Sequence, residues 1–199
     1  GYTDGTKHNL QLSKNEKDTI KWLKDNGASK VVAIIVASNV MELDVLESAE
    51  YATDAILWVG GPGAAGFESM GDVLVGDINP SRRTVDIYAK DLLKTPALTN
   101  FGDYAYTNAE YEWGGAQNPG HFVHYEEGIY VGYKYYETAA EVGAITYENE
   151  VVYPFGYGLS YTTFEQKFVS FDVTGSLAKA VVEVENKGTK VGKDVVEMY

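Results

Sequence analysis

The sequence YPFGYGLSYTTF occupies residues 153–164 and separates two parts of the chain whose patterns differ. Glycine and aromatic residues dominate it, and it shows neither the period of a strand nor that of a helix. Helix-like and strand-like segments alternate before it, whereas the residues after it have a strand pattern alone. This junction segment therefore predicts a change from an α/β layer structure to an antiparallel β structure.

The chain before the junction segment begins with a well-marked helix. Ser13 and Glu16 have the spacing of a capping box, with Ser13 at the N-cap and Glu16 three residues further on. Gly27 is placed to end this helix, because glycine readily adopts the left-handed conformation that follows many helices. A helix is therefore predicted between Ser13 and Gly27.

Two continuous apolar runs follow, at residues 31–36 and 54–59, and both contain β-branched side chains. Such runs are typical of parallel strands that are buried on both faces. Short helices are predicted at residues 41–51 and 67–74, with a tight turn at 60–66 before the second of them. This order of helices and strands favours an α/β sandwich with a mostly parallel sheet.

Residues 99–127 are rich in Tyr, Asn and Gly and show no period, which predicts a long ordered loop. The aromatic segment after it, residues 128–137, is predicted to form a strand or an irregular helix. Because long ordered loops in compact domains are often functional, candidate site residues are expected in this region.

The residues after the junction segment predict an antiparallel β-sandwich, with strands around 168–173, 181–184 and 195–198. Three strands cannot close a sandwich, which takes about seven. We therefore expect an α/β sandwich domain over residues 1–163, without its N-terminal part, and the beginning of a β-sandwich over residues 164–199.

The composition limits the classes of partner. The chain has 199 residues, 45% of them hydrophobic, which suffices for one domain and part of a second. Its net charge of −13 disfavours nucleic acid and anionic membranes, whereas a neutral sugar is not repelled. Disulfides and cysteine-ligated metals are excluded because there is no cysteine. The 16 tyrosines and 3 tryptophans offer rings that either fill a core or stack on sugars.

A glycine-rich turn at residues 61–66 matches the dinucleotide-binding pattern G-x-G-x-x-G. Asp86 lies 20 residues beyond Gly66, where such a fold places its ribose-binding acid. Pro62, however, removes an amide donor from the turn that would hold a phosphate, and residues 78–83 form a turn where a strand is required. Close packing of a helix start against a strand end is the favoured interpretation, and no cofactor is expected.

Two histidines in the loop, His121 and His124, stand three residues apart with Glu126 and Glu127 behind them. On a helix this spacing would gather metal ligands on one face. No helical period supports that placement and no third ligand is evident, so no metal is expected.

Carboxylates are frequent in the same region. Glycoside hydrolysis requires two of them, and the candidates are Asp103, Glu110, Glu112, Glu126 and Glu127. Glu127 precedes Gly128 and a series of apolar and aromatic residues, which predicts a raised pKa of the kind that a proton donor needs. A structural, hydrogen-bonding role for Glu127 is the alternative.

Four stretches of the chain resemble the C-terminal half of glycoside hydrolase family 3, the β-glucosidase family. They are residues 58–63 with 72–81 (WVGGPG and DVLVGDINPS), residues 125–136 (YEEGIYVGYKYY), the junction segment, and residues 184–188 with 192–199 (VENKG and GKDVVEMY). Their order is that of the family, and the junction segment is the most specific of them. Arg82 stands where the family usually has glycine, Lys134 where it often has arginine, and Ser13 where proline is common, which leaves the sugar specificity open.

The resemblance implies that residues 1–163 are most of the family's α/β sandwich domain and that residues 164–199 begin a fibronectin type III-like domain. It implies a parent enzyme that hydrolyses β-linked glucose or a related sugar with retention, of the β-glucosidase or β-xylosidase type. It also implies that the Asp nucleophile lies on a separate barrel and the acid/base Glu on a loop just before Gly1. No catalytic residue is therefore expected in this chain, which alone should be inactive.

Tyr125, Glu127 and Trp113 are the candidate substrate-binding residues, and the chain is expected to support the acid/base loop and line the aglycone side of the cleft. A non-catalytic sugar-binding or assembly module is the alternative, because the aromatic loop offers rings for sugars. The open strand edges of an incomplete sandwich predict self-association, or contact with the missing catalytic barrel.

Overall fold

The computed structural model describes residues 10–101, 104–106 and 121–198, apart from the side chains of Ala64 and His121. The first helix, α1, spans Lys14–Asp25. Its predicted capping box is confirmed, since the Glu16 amide donates to Ser13 Oγ and the Glu16 carboxylate accepts the Ser13 amide at 2.6 Å. Asn26 caps the C-terminal end of the helix, and Gly27 follows with a φ of 83°, as predicted.

The two apolar runs form strands β1, Val32–Ile35, and β2, Ala55–Trp58, which pair in parallel as predicted. Ala33, Ile35 and Ile56 on one face pack against the core. The prediction of burial on both faces is wrong, because Val32 on the other face is 41% exposed. The pleat sends alternate side chains to opposite sides, and the described residues leave the second side open.

The predicted helix at 41–51 is limited to a 3₁₀ turn, Asp44–Glu47. Helix α2 spans Gly63–Val75 and therefore begins four residues before the predicted start at residue 67. Pro62 precedes it with a φ of −72°, which is already suited to a helix, so the preceding turn is shorter than predicted.

The strands that follow are short and pair in antiparallel fashion. Strand β3, Tyr88–Ala89, precedes a 3₁₀ turn at Leu92–Lys94 and helix α3, Pro96–Thr99. Strands β4, Tyr104–Ala105, and β5, His121–Phe122, form one antiparallel pair within the predicted loop.

Two helices lead from there to the junction segment. The predicted strand or irregular helix at 128–137 is a turn followed by a regular helix, α4, Tyr133–Glu141. After α5, Tyr147–Glu150, strand β6, Val151–Tyr153, pairs antiparallel with β3. In the described part β1–β2 is the one parallel pair of strands, beside a single parallel bridge between Gln11 and Glu42, so the expectation of a mostly parallel sheet is wrong there.

The core consists of two clusters on opposite sides of the β3–β6 pair. Tyr88 belongs to one cluster with Leu12, Leu43 and Leu46. Ala89, the next residue of β3, belongs to the second cluster. The buried members of that cluster are Ile87, Ala89, Leu92, Tyr136 and Val151. Since successive residues of a strand face opposite sides, the β3–β6 pair holds the two clusters together.

The junction segment is irregular after β6, as predicted, and it packs on the loop that follows α2. The Asn79 carboxamide joins three segments: its oxygen accepts the Ser160 hydroxyl at 3.0 Å and the Tyr161 amide at 2.8 Å, and its nitrogen donates to the Val191 carbonyl at 2.9 Å. Gly156 has a φ of 76°, and the Glu197 carboxylate occupies the space that a side chain would need. A residue with a Cβ would therefore disturb this packing.

An antiparallel hairpin of β7, Phe164–Thr174, and β8, Leu177–Asn186, follows the junction segment and confirms two of the predicted strands. The third, around 195–198, is wrong, since residues 191–198 form no ladder. This segment contacts β7 through a side-chain hydrogen bond, in which Gln166 Nε2 donates to the Val195 carbonyl at 2.9 Å. The fibronectin type III-like topology and the division between residues 163 and 164 stay predictions.

The hairpin has one apolar and one charged face. Paired residues share a face, and an irregularity in register between Phe168 and Ser170 keeps Phe168 and Phe171 on the same side. This apolar hairpin face comprises Phe168, Phe171, Val173, Val182 and Val184. Its two phenylalanines are 66% and 58% exposed, so the described residues leave most of it uncovered.

None of the helices within the described ranges has the length and apolar character needed to cross a membrane.

Candidate functional site

A cavity of about 570 Å³ lies between the end of α3, the turn at residues 126–130 and helix α4. Its polar lining comes from Lys94, Asn100, Glu126 and Glu127, and its aromatic lining includes Tyr130 and Tyr135. Carboxylates and amides hydrogen-bond to hydroxyl groups, and rings pack on apolar faces. This combination suits a small polar ligand with apolar faces.

Glu127 is fixed within the cavity by the end of α3. Its carboxylate accepts a hydrogen bond of 2.7 Å from Asn100 Nδ2. This bond, with a smaller contribution from the Glu127 backbone amide, holds the pKa of the carboxyl below its ordinary value. The carboxylate is therefore ionised at neutral pH.

The expected raised pKa of Glu127 is thus wrong in direction. Burial acts to raise the pKa of Glu127, but the hydrogen bonds outweigh it. The apolar side chains that follow cover the carboxyl little, since Ile129 is 67% and Tyr130 49% exposed. The alternative interpretation, a hydrogen-bonding Glu, agrees with the contact to Asn100.

Asn100 is the residue of this site that sequence reasoning missed. It caps the C-terminal end of α3, where its amide donates to the Pro96 carbonyl at 2.9 Å. Thr95 before Pro96 has the pattern of a helix start and would have indicated the helix, but nothing in the sequence pairs Asn100 with a residue 27 positions later.

The other candidate residues are placed differently. Tyr125 is 75% exposed and does not line the cavity. Trp113 lies outside the described residues, as do Asp103, Glu110 and Glu112. The substrate-binding role of Tyr125, Glu127 and Trp113 is not tested and stays a prediction.

His124 and Glu126 form a pair at the rim of this region. His124 Nδ1 lies 3.2 Å from a Glu126 carboxylate oxygen, and both side chains are more than 60% exposed, at 64% and 65%. The side chain of His121 is among those not described. In the described part of the chain, no three His, Asp or Glu residues are grouped so as to hold a metal ion.

Packing contacts explain two glycines of the turn after β2. Gly60 lies beneath the Trp58 indole, whose ring atoms are 3.2 Å from the place of a Cβ. At Gly66 a Cβ would lie 2.8 Å from the Pro62 Cβ. Packing therefore requires small residues at Gly60 and Gly66, which agrees with the packing interpretation there. Gly63 has a φ of 65°, which favours glycine, and no atom lies within 4 Å of a Cβ placed at Gly61.

A second candidate surface is formed by Tyr104, Tyr106 and Phe122, here called the aromatic surface. The ring centroids of Tyr104 and Phe122 are 5.4 Å apart with planes at 23°, and those of Tyr106 and Phe122 are 5.0 Å apart at 46°. All three side chains remain substantially exposed, at 42%, 47% and 38%. These rings form a shallow apolar surface on the β4–β5 pair.

Comparison with known proteins places most of this chain in a family. Residues 3–133 match the family described as "Glycosyl hydrolase family 3 C-terminal domain". Beta-glucosidase A of Butyrivibrio fibrisolvens is 34% identical over 203 residues, which covers 94% of this chain and 22% of that protein. Thermostable beta-glucosidase B of Acetivibrio thermocellus is 30% identical over 177 residues, which covers 86% and 20%.

Solved structures agree with these relatives over nearly the whole described fold. A beta-glucosidase from Paenibacillus barengoltzii superposes with a TM-score of 0.72 at 26% identity, covering 93% of this chain and 18% of that one. Beta-glucosidase 3B from Thermotoga neapolitana, solved in complex with α-D-glucose, gives 0.69 at 30% identity, covering 93% and 23%. The chain thus spans about a fifth of the length of the relatives that it matches. It belongs to glycosyl hydrolase family 3, and its residues 3–133 correspond to the C-terminal domain of that family.

Proposed function

We propose that this chain is one part of a retaining glycoside hydrolase of the β-glucosidase type, which cleaves terminal β-linked glucose or a related sugar. The observation that carries the proposal is that 94% of the chain matches a beta-glucosidase, of which the chain spans only 22%. The larger part of such an enzyme has room for a catalytic barrel with the Asp nucleophile.

In this proposal the chain supports the loop with the acid/base Glu and lines the aglycone side of the cleft. The state of the cavity carboxylates favours a supporting role over a catalytic one. A catalytic acid needs a raised pKa, whereas the hydrogen bond from Asn100 lowers the pKa of Glu127. Glu126 contacts His124 at the surface.

We predict that the 199-residue chain alone does not hydrolyse aryl β-glucosides or aryl β-xylosides above the buffer rate. The longer parent protein should hydrolyse at least one of them, since it would also contain the barrel. Release of the aryl group is followed by absorbance for both proteins at equal concentration, and the faster substrate identifies the sugar. Turnover by the chain alone would contradict this division of the enzyme.

A Glu127→Gln change in the parent protein separates a supporting role from a catalytic one. Glutamine keeps the size and an acceptor oxygen, so kcat should stay within about threefold of the wild type, whereas loss of a general acid costs about 100-fold or more. Asn149→Ala, on an exposed position of α5, serves as the control for a neutral surface change. A hundredfold loss of kcat in Glu127→Gln alone would assign the proton donor to this chain.

The assembly alternative is favoured by the uncovered apolar hairpin face. We predict that the isolated chain associates with itself, because an isolated two-stranded hairpin with an exposed apolar face is poorly stable in water. Light scattering should give a mass that rises with concentration. Phe171→Ser should reduce this rise, while Asp172→Ser on the opposite face should not; a monodisperse monomer at all concentrations would contradict the prediction.

A further inference from the structure

We propose that Asn26 is a modification site, where the side-chain amide is lost in water to leave aspartate or isoaspartate, at a rate that the Lys24 side chain limits. The inference goes beyond the proposed function, because it concerns the covalent state of α1 and no sugar takes part. It depends on the residue that follows Asn26 and on the hydrogen bonds at the end of the helix.

The glycine after Asn26 favours the reaction. An asparagine loses ammonia when the backbone nitrogen of the next residue attacks its Cγ, and a side chain on that next residue hinders the approach. Asn26 and Gly27 form the one Asn-Gly pair in the sequence. Both residues are exposed, and no atom lies within 4 Å of a Cβ placed at Gly27. Solvent base therefore has access to the Gly27 nitrogen.

The reaction needs no reagent other than water. The Gly27 nitrogen gives its proton to hydroxide and forms a bond to Asn26 Cγ, while the Cγ–Nδ2 bond breaks and ammonia leaves with a proton taken from water. Water then opens the cyclic imide at one of its two carbonyl carbons. Opening at the side-chain carbonyl gives aspartate, whereas opening at the backbone carbonyl gives isoaspartate, in which the chain continues through Cγ.

Hydrogen bonds at the end of α1 engage both reacting groups. The Gly27 amide donates to the Lys24 carbonyl at 3.2 Å, as in the common arrangement that ends helices at a glycine. Asn26 Nδ2 donates to the Trp22 carbonyl at 2.8 Å. Because both bonds must break before attack, the reaction starts from molecules in which the last turn has opened. Helix ends open at a low cost in free energy.

The Lys24 side chain limits how often this turn opens. Its ammonium group donates to the backbone carbonyls of Ala49, Glu50 and Ala52, at 3.2, 3.4 and 3.2 Å. These three bonds attach the last turn of α1 to the loop before β2. The turn therefore opens less often than an unattached helix end would, although the Lys24 ammonium takes no part in the chemistry.

Either product weakens the end of α1. A carboxylate has no N–H to donate to the Trp22 carbonyl, and its negative charge lies at the negative end of the helix dipole. Isoaspartate also adds an atom to the backbone, which displaces the Gly27 amide from the Lys24 carbonyl. The modified chain should therefore be less stable than the fresh one.

The test is peptide mass spectrometry of the full 199-residue chain during incubation in mildly alkaline buffer, with the two products separated by chromatography. Asn149, an exposed asparagine followed by Glu150, is the internal control. Lys24→Met keeps most of the stem but removes the ammonium group, and Lys134→Met on the exposed side of α4 is the matched control. Far-UV circular dichroism establishes that each variant is folded.

We expect Asn26 to react at least about tenfold faster than Asn149 and to give both products. Lys24→Met should raise the rate at Asn26 about threefold or more while the rate at Asn149 stays within about twofold of the wild type. Lys134→Met should change neither rate. Equal rates at Asn26 and Asn149 in the wild type, an unchanged rate at Asn26 in Lys24→Met, or an equal rise in Lys134→Met would each overturn the proposal. No sugar is added, so the result is independent of the proposed enzyme activity.

Discussion

Replacement of Glu42 by alanine is expected to lower the free energy of unfolding by about 3 kcal/mol. Glu42 is only 6% exposed, and its carboxylate connects segments that are far apart in sequence. One oxygen accepts the Leu92 amide at 2.7 Å, and the other accepts the Gln11 side-chain amide at 2.6 Å. Alanine would leave both donors without this acceptor in a site that water does not readily reach.

The position of Glu42 between the two core clusters explains the large expected loss in the free energy of unfolding. Its neighbour Leu43 belongs to one core cluster and its partner Leu92 to the other. A backbone bridge between Gln11 and Glu42 places the segment before α1 on the same site. Loss of the carboxylate therefore weakens the attachment between the two clusters as well as the local hydrogen bonds.

Two further variants make the test specific. Glu42→Gln keeps an acceptor for Leu92, and the Gln11 amide can rotate to match, so a loss below about 1 kcal/mol is expected. Glu68→Ala on the exposed side of α2 removes a carboxylate of the same kind and should change little. Urea unfolding followed by circular dichroism gives the three values; equal stability of Glu42→Ala and the wild type would show that the contacts contribute nothing.

The contrast between Glu42 and α1 shows what the sequence can reveal about the fold. The capping box and the two parallel strands follow from local patterns, because spacing and apolar runs act over a few residues. The partners of Glu42 lie 31 and 50 residues away, and no local pattern marks them. The apolar run of β1 likewise does not reveal that side chains on one of its faces, such as Val32, are exposed.

The candidate site shows the same limit. The sequence indicated Glu127 from the aromatic residues that follow it, but the direction of its pKa depends on Asn100 and on rings that turn out to be exposed. Family resemblance, by contrast, depends on motifs, and it was confirmed over residues 3–133. Sequence motifs thus identified the family, while the protonation state of one carboxyl required the folded structure.

A second large effect is expected where the segment that follows the hairpin meets the loop after α2. Arg83 Nη2 donates to an Asp194 carboxylate oxygen at 2.7 Å, with side chains only 21% and 6% exposed. Removal of one partner from a buried ion pair leaves the other charge uncompensated. Arg83→Ala should therefore lower the free energy of unfolding by about 3 kcal/mol, whereas Arg82→Ala at the exposed neighbouring position should have little effect.

This contact should also make stability depend on pH. Burial acts to raise the pKa of Asp194, but the hydrogen bonds from Gln166 and Arg83 outweigh it and hold the pKa below the ordinary value of 3.8. A carboxyl whose pKa is lower in the folded state binds its proton more readily when unfolded. Its stabilising contribution is therefore complete above the unfolded pKa and is lost as the pH falls through the folded pKa.

Asp194→Asn isolates this contribution from the many other acids of the chain. Asparagine has the same shape but carries no charge, so the variant should be less stable than the wild type by about 2 kcal/mol at pH 7. The difference should shrink steadily as the pH falls below about 4, because the wild-type carboxyl then becomes neutral as well. Urea unfolding of both proteins at several pH values measures it. A difference that stays constant from pH 7 to the acid limit of folding would mean that the ionised Asp194 does not hold the segment after the hairpin in place.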